Sequence, residues 1–121
     1  MQKVILFPFD ITEDNRKRYC ETMQKAKAEK AALILFTSLP EAAKEKDKDA
    51  VYFHLLELNG HYQTAYNNWT STADISIQRM IHREDMLQNL SKVVQLTTPD
   101  SIIINNASPI LNQERISEVL V

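Results

Sequence analysis

Few residues in this chain have both the type and the position that chemistry needs. Asp10 closes the apolar run Val4-Ile5-Leu6-Phe7-Pro8-Phe9, so a carboxylate stands where a buried strand gives way to a turn. There it can accept hydrogen bonds from a bound hydroxyl, or from the turn itself as a cap. Asn105, Asn106 and Ser108 follow a second run, Ile102-Ile103-Ile104. Their amides and hydroxyl suit a small polar ligand, and they are also turn formers in their own right. His54 and His61 share one helix face but lie two turns, roughly 10 Å, apart, too far to hold one metal ion on a straight helix. His82 belongs to another element. Cys20 falls on an apolar helical stripe with no base placed beside it by the sequence, which reads as a core thiol. The chain has no G-x-S-x-G elbow, Walker loop, paired-histidine metal motif or G-x-G-x-x-G fingerprint. No catalytic residue and no metal ligand is therefore assigned.

The elements that must position these groups alternate along the chain. The first strand is read as Val4–Phe9. Thr12 is a plausible N-cap, with Glu13 and Asp14 filling the first helical turn, where negative charge suits the dipole. Tyr19, Cys20, Met23 and Ala26 then recur at helical spacing and face a sheet. Leu33–Thr37 is the second strand. Glu41–Asp49 is almost all charge and alanine and reads as an exposed helical turn or loop. From Asp49 a long helix carries Val51, Leu55, Leu58, Tyr62, Ala65 and Trp69 as one stripe. Gly60, the only glycine, sits within it, for a close contact or a bend. Asn67–Thr72 is a turn. Asp74–Gln78 alternates like a strand near a sheet edge, and a third helix starts near Arg83 with Met86, Leu87, Leu90, Val93 and Val94 inward. Ser101–Asn105 is the fourth strand. Ser108-Pro109 opens a last helix whose apolar face is Ile116, Val119 and Leu120.

This βαβαβαβα order implies one α/β domain over residues 1–121. Its sheet is parallel and doubly wound, with helices on both faces in three α/β/α layers. The runs in strands 1, 2 and 4 are continuously apolar, as interior strands are.

Composition narrows the partners. A formal net charge of −2 gives no electrostatic reason to expect nucleic acid or an anionic membrane. The basic residues of the first helix are interleaved with acids, as on a solvated face. No apolar run approaches the roughly 18 residues of a membrane helix, and the amino terminus lacks a signal-peptide pattern. One cysteine permits no intramolecular disulfide, so the expected compartment is the cytoplasm.

Several segments together resemble the universal stress protein family. Val4-Ile5-Leu6-Phe7-Pro8-Phe9-Asp10 resembles that family's opening strand, typically ILVPVD, and Leu33-Ile34-Leu35-Phe36-Thr37 resembles its second. Pro99-Asp100-Ser101-Ile102-Ile103-Ile104 resembles its fourth, and Ile116-Ser117-Glu118-Val119-Leu120 its closing helix. The resemblance implies a sheet in the order 3-2-1-4-5 with an adenine nucleotide at the carboxyl ends of strands 1 and 4. It places Asp10 near the adenine and ribose, Phe7, Pro8 and Phe9 beside the base, and Thr37 on the same cleft.

Two departures qualify what the resemblance implies. Nucleotide-binding members carry G-x-x-G-x9-G-S/T after strand 4, where glycines let backbone amides approach phosphates. Here residues 105–113 read Asn-Asn-Ala-Ser-Pro-Ile-Leu-Asn-Gln, with no glycine. The chain also stops where the fifth strand would begin, which leaves the order 3-2-1-4. An uncovered fourth strand implies pairing with a second copy or another protein. The expectation is a non-catalytic, universal-stress-like domain with no cofactor, acting through protein contacts as a dimer or regulatory module. The alternative is binding of an adenine nucleotide or other small ligand, ATP or AMP weakly, by Phe7, Pro8, Phe9, Asp10, Thr37, Asn105, Asn106 and Ser108.

Overall fold

The computed structural model describes residues 2–39, 45–66, 75–105 and 111, with the backbone alone at 45 and 63–66. In chain order the elements are β1 (Val4–Pro8), α1 (Arg16–Glu29), β2 (Ala32–Leu39), α2 (Glu45–Tyr66), β3 (Ile77–Arg83), α3 (Met86–Thr97) and β4 (Ser101–Ile102). The four described strands are parallel throughout and stand in the order β3-β2-β1-β4. The doubly wound fold and strand order expected from the sequence are therefore present.

Winding explains the layers. The chain moves outward from β1 to β2 to β3, so α1 and α2 cover one face. It then returns past β1 to β4, and right-handed crossovers put α3 on the other face. The pleat sends alternate residues of the central strands to each side. Ile5, Phe7, Phe9, Leu33, Leu35 and Leu39 pack beneath α1 and α2, with Tyr19, Met23, Leu55, Leu58 and Tyr62. Leu6, Ile34 and Phe36 pack beneath α3, with Leu90 and Val93. A strand buried on both faces has no polar side to show, hence the unbroken apolar runs.

The edges of the elements are set by hydrogen bonds that composition does not reveal. α1 begins at Arg16, not near Thr12, so Glu13 and Asp14 precede it. It ends on Lys30 in the left-handed region (φ 53°), whose N–H bonds back to the Ala26 and Lys27 carbonyls. α2 begins at Glu45, which draws part of the charged stretch into the helix. Across β3 the registry Leu33↔Ile77 to Leu39↔Arg83 shifts the strand downstream of the 74–78 segment read from alternation. Ile77 and Ile81 supply the anchor on the α2 side, and Arg79 between them is tolerated because β3 lies at the described edge of the sheet. Asp85 caps α3, accepting from the N–H groups of Leu87 and Gln88 at 3.1 Å each, so that helix starts at Met86 rather than near Arg83. β4 pairs only over Ser101–Ile102, shorter than the Ser101–Asn105 run. One further bond, Ile103 N–H to Leu6 O at 2.9 Å, follows before the chain leaves the sheet. Trp69, the Asn67–Thr72 turn and the last helix lie outside the described residues.

Candidate functional site

At the carboxyl ends of β1 and β4 the winding reverses, and α/β sheets of this type open a crevice there. Of the groups the sequence offered for chemistry, Asp10, Asn105 and His54 come together at this rim.

The rim is organised around a residue the sequence reading passed over. Asn15, 1% exposed, precedes the first turn of α1. Its amide nitrogen donates to the Asp10 carbonyl at 2.9 Å and to the Glu13 carbonyl at 3.2 Å. The same nitrogen lies 3.3 Å from His54 Nε2 on α2. Its amide oxygen accepts from Asn105 Nδ2 at 3.1 Å. One buried side chain thus ties together the end of β1, the long helix and the segment after β4. With Thr12 read as the cap, Asn15 falls inside the expected first turn, where no sequence signal marks it.

Asp10 is half-buried and turned back on its own chain. Oδ1 accepts from the Thr12 N–H at 2.9 Å and from the Thr12 hydroxyl at 2.7 Å, an Asx turn. Thr12 therefore serves the turn and does not cap the helix. Asn105 is 8% exposed and also donates to the Asp14 carbonyl at 2.9 Å. Arg18 Nε donates to the Ile104 carbonyl at 2.7 Å, fastening the same segment to α1. Phe7 and Phe9 lie at 0% and 1% exposure beneath the helices, stacked on each other at 6.0 Å, and Pro8 is buried too. His54 covers Phe9, with ring centroids 5.9 Å apart. Thr37, 1% exposed on β2, has a hydroxyl with no hydrogen-bond partner among the described residues. Asn106 and Ser108 lie outside the described residues. The structure thus joins Asp10, Asn105 and Phe9 through Asn15 and His54, and leaves Thr37 without a described hydrogen bond.

The electrostatics follow from this packing. Burial pushes the His54 imidazole below its ordinary value, against a smaller opposing pull from Glu57 and Asp14. A neutral His54 matches the amide beside it, since each ring nitrogen can then donate or accept as the tautomer requires. The Arg16 side chain holds the exposed Asp14 carboxyl well below the usual range through hydrogen bonds at 2.9 and 2.7 Å. Burial raises the Cys20 thiol, which keeps it protonated and a poor nucleophile. Among the described residues no group of three or more His, Cys, Asp or Glu could hold a metal ion. Nor is any described helix long and apolar enough to cross a membrane.

With strand order and rim in view, comparison with solved structures is decisive for the fold. A universal stress protein from Archaeoglobus fulgidus superposes with a TM-score of 0.66 at 10% identity, covering 99% of this chain and 86% of that one. The fold is that of the universal stress proteins. A universal stress protein in complex with cAMP matches with a TM-score of 0.64 at 14% identity, over 98% of this chain and 87% of that chain. The Archaeoglobus fulgidus protein in complex with dAMP matches with a TM-score of 0.59 at 11% identity, over 86% and 80%. No protein-family model matches the sequence, and no curated protein sequence does either. The likeness to universal stress proteins thus lies in the fold, where apolar pattern and topology persist while side chains differ.

Proposed function

We propose that this chain is a non-catalytic, universal-stress-like domain of the cytoplasm that acts through protein contacts, as a homodimer or within a larger assembly. One observation carries the reading. At the strand-end rim the described polar groups, Thr37 apart, are hydrogen-bonded to one another: Asp10 to Thr12, Asn15 to the Asp10 and Glu13 carbonyls, and Asn105 to Asn15 and Asp14. A ligand would have to break those bonds before making its own, and a buried polar group left unpaired is costly. The glycine-free segment 105–113 supports the same reading, because phosphates need close backbone approach. Calorimetric titration with ATP and AMP should give dissociation constants above about 100 µM, near −5.5 kcal/mol or weaker. Native mass spectrometry of protein purified without added nucleotide should give the bare chain mass, and sedimentation at micromolar concentration should give a dimer. Nucleotide that co-purifies, or micromolar binding lost in Asp10→Ala, would overturn the proposal.

A second reading has a specific observation in its favour: two structures of this fold were solved with adenine nucleotides, cAMP and dAMP. On that reading an adenine nucleotide sits at the ends of β1 and β4, with Asp10 opened from its turn toward the ribose. Phe7, Pro8, Phe9 and Thr37 back the base, and Asn105, Asn106 and Ser108 lie on the phosphate side. The same titration separates the two.

A further inference from the structure

β3 is the described edge of the sheet, and half of its backbone faces away from β2. In a parallel ladder, alternate residues of a strand bond to the same neighbour. Leu33 N–H donates to the Ser76 carbonyl at 2.8 Å and Glu84 N–H to the Leu39 carbonyl at 2.6 Å, so Gln78, Met80 and His82 between them turn their backbone groups toward β2. The N–H and C=O groups of Ile77, Arg79 and Ile81 therefore point outward. Among the described residues none of these six groups has a hydrogen-bond partner.

The side chains at this edge say what would pair with it. On the α2 side of the strand stand Ile77, Arg79, Ile81 and Arg83, in register with Leu33, Leu35, Thr37 and Leu39. The stretch Ile77–Arg83 contains no acid, and no carboxylate pairs with the exposed Arg79 among the described residues. Beside the strand, α2 leaves Tyr52, Phe53 and Leu56 exposed. Tyr52 and Leu56, one turn apart, line a hollow together with Ile77 and Arg79, and the Phe53 ring meets Tyr52 edge-on at 6.1 Å. Cations on an edge strand oppose pairing with a second copy, because like charges would meet across the ladder. That accounts for the arginines but not for three large apolar side chains next to them. An open ladder, a cationic row and an apolar shelf fit one occupant: an extended segment of another protein that alternates aliphatic and acidic residues.

We propose that β3 takes up an extended acidic segment of a partner protein as an added strand. The segment's backbone completes the ladder at Ile77, Arg79 and Ile81, its carboxylates lie opposite Arg79 and Arg83, and its aliphatic side chains lie against Tyr52 and Leu56. The ladder supplies affinity and the charges select the sequence. This contact shares no residue with the Asp10–Asn15–Asn105 network, and it rests on the reading of the chain as a domain that works through protein contacts.

The test is titration of the 15N-labelled full chain with the capped peptide acetyl-Val-Thr-Glu-Thr-Val-Thr-Glu-amide, followed by amide chemical shifts. Saturable shifts should appear at residues 52–56 and 77–83 with a dissociation constant below about 1 mM, and leave Asp10, Asn15 and Asn105 unmoved. The peptide with Gln for both Glu should bind about tenfold more weakly, as loss of charge-assisted bonds does. Arg79→Gln should cut that preference by about threefold or more. Two further peptides, N-methylated on alternate amides in the two possible phases, read the ladder without any substitution in the protein. One of them should lose binding, because its methyl groups stand where donors to β3 stood. The ATP and AMP titration, which decides the underlying reading, is independent of all these results, so the two can fail separately. No saturable shift up to about 5 mM overturns the proposal. So do equal affinities for the Glu and Gln peptides, a preference unchanged in Arg79→Gln, or methylated peptides that both bind like the parent. Shifts at residues 77–83 on dilution of the chain alone would give the edge to a second copy and overturn it as well.

Discussion

Removing the Asn15 side chain is the sharpest test of how the rim is built. In Asn15→Ala the donor to the Asp10 and Glu13 carbonyls disappears, and so does the acceptor for Asn105. At least two of the abandoned groups keep another partner. The Asp10 carbonyl still accepts from the Glu13 N–H at 3.1 Å, and Asn105 Nδ2 still donates to Asp14 at 2.9 Å. The loss is therefore near the net value of three hydrogen bonds, about 1 kcal/mol each, rather than three full desolvation penalties. A small buried void adds to it, and the sum is about 2–4 kcal/mol. For a domain of this size each kcal/mol moves the melting temperature by roughly 3–6 °C, so a fall of about 6–24 °C is expected. Urea unfolding followed by circular dichroism measures the same quantity as a shift in midpoint. Asn105→Ala combined with Asn15→Ala should destabilise by less than the sum of the two, because both remove one shared bond. A cost below about 0.5 kcal/mol, or strict additivity, would mean the buried amides are not coupled and the rim is held by apolar packing alone.

Leu58, 1% exposed under α2, should cost about 2–5 kcal/mol on Leu58→Ala, whereas Glu57→Ala on the exposed face should stay within about 0.5 kcal/mol in the same melts. Gly60→Ala should stabilise the protein by about 0.5–1 kcal/mol in denaturant, since an added Cβ meets nothing within 4 Å and the helix runs unbroken through it. Thr37→Val removes a buried hydroxyl with no described partner and should raise stability by roughly 1 kcal/mol; a loss of that size would reveal a bond to a group outside the described residues. His54 has a folded-state pKa below its unfolded one, so its share of stability is complete above the unfolded value and is lost as pH falls through the folded value. Melting temperature should decline as pH drops from about 7 through 5, and the decline should be shallower in His54→Asn, read by thermal melts across that range.

The sequence by itself determined the architecture and the identity of its core. Ile5, Leu6 and Phe7 are apolar without interruption because β1 is buried on both faces, and such a run admits few arrangements other than a central parallel strand. Leu55, Leu58 and Tyr62 announced the covering helix because their 3.6-residue period is a property of the helix alone. The cap on α3 was less visible. Asp85 stands among Arg83, Glu84 and Met86, and only the left-handed turn at Glu84 (φ 72°) shows where β3 ends. What the tertiary structure decided is the state of the rim. Asp10 read more readily as a turn acid than as a ligand acid, and here its carboxylate accepts both the N–H and the hydroxyl of Thr12. Asn15, His54 and Asn105 stand 39 and 90 residues apart as pairs, and no local pattern links them. Their meeting depends on two crossovers that carry α2 and β4 to the same end of β1. Periodicity records what a segment does with its neighbours in the chain. A polar network joins side chains across the fold, and its members look like ordinary surface residues until the sheet brings them together.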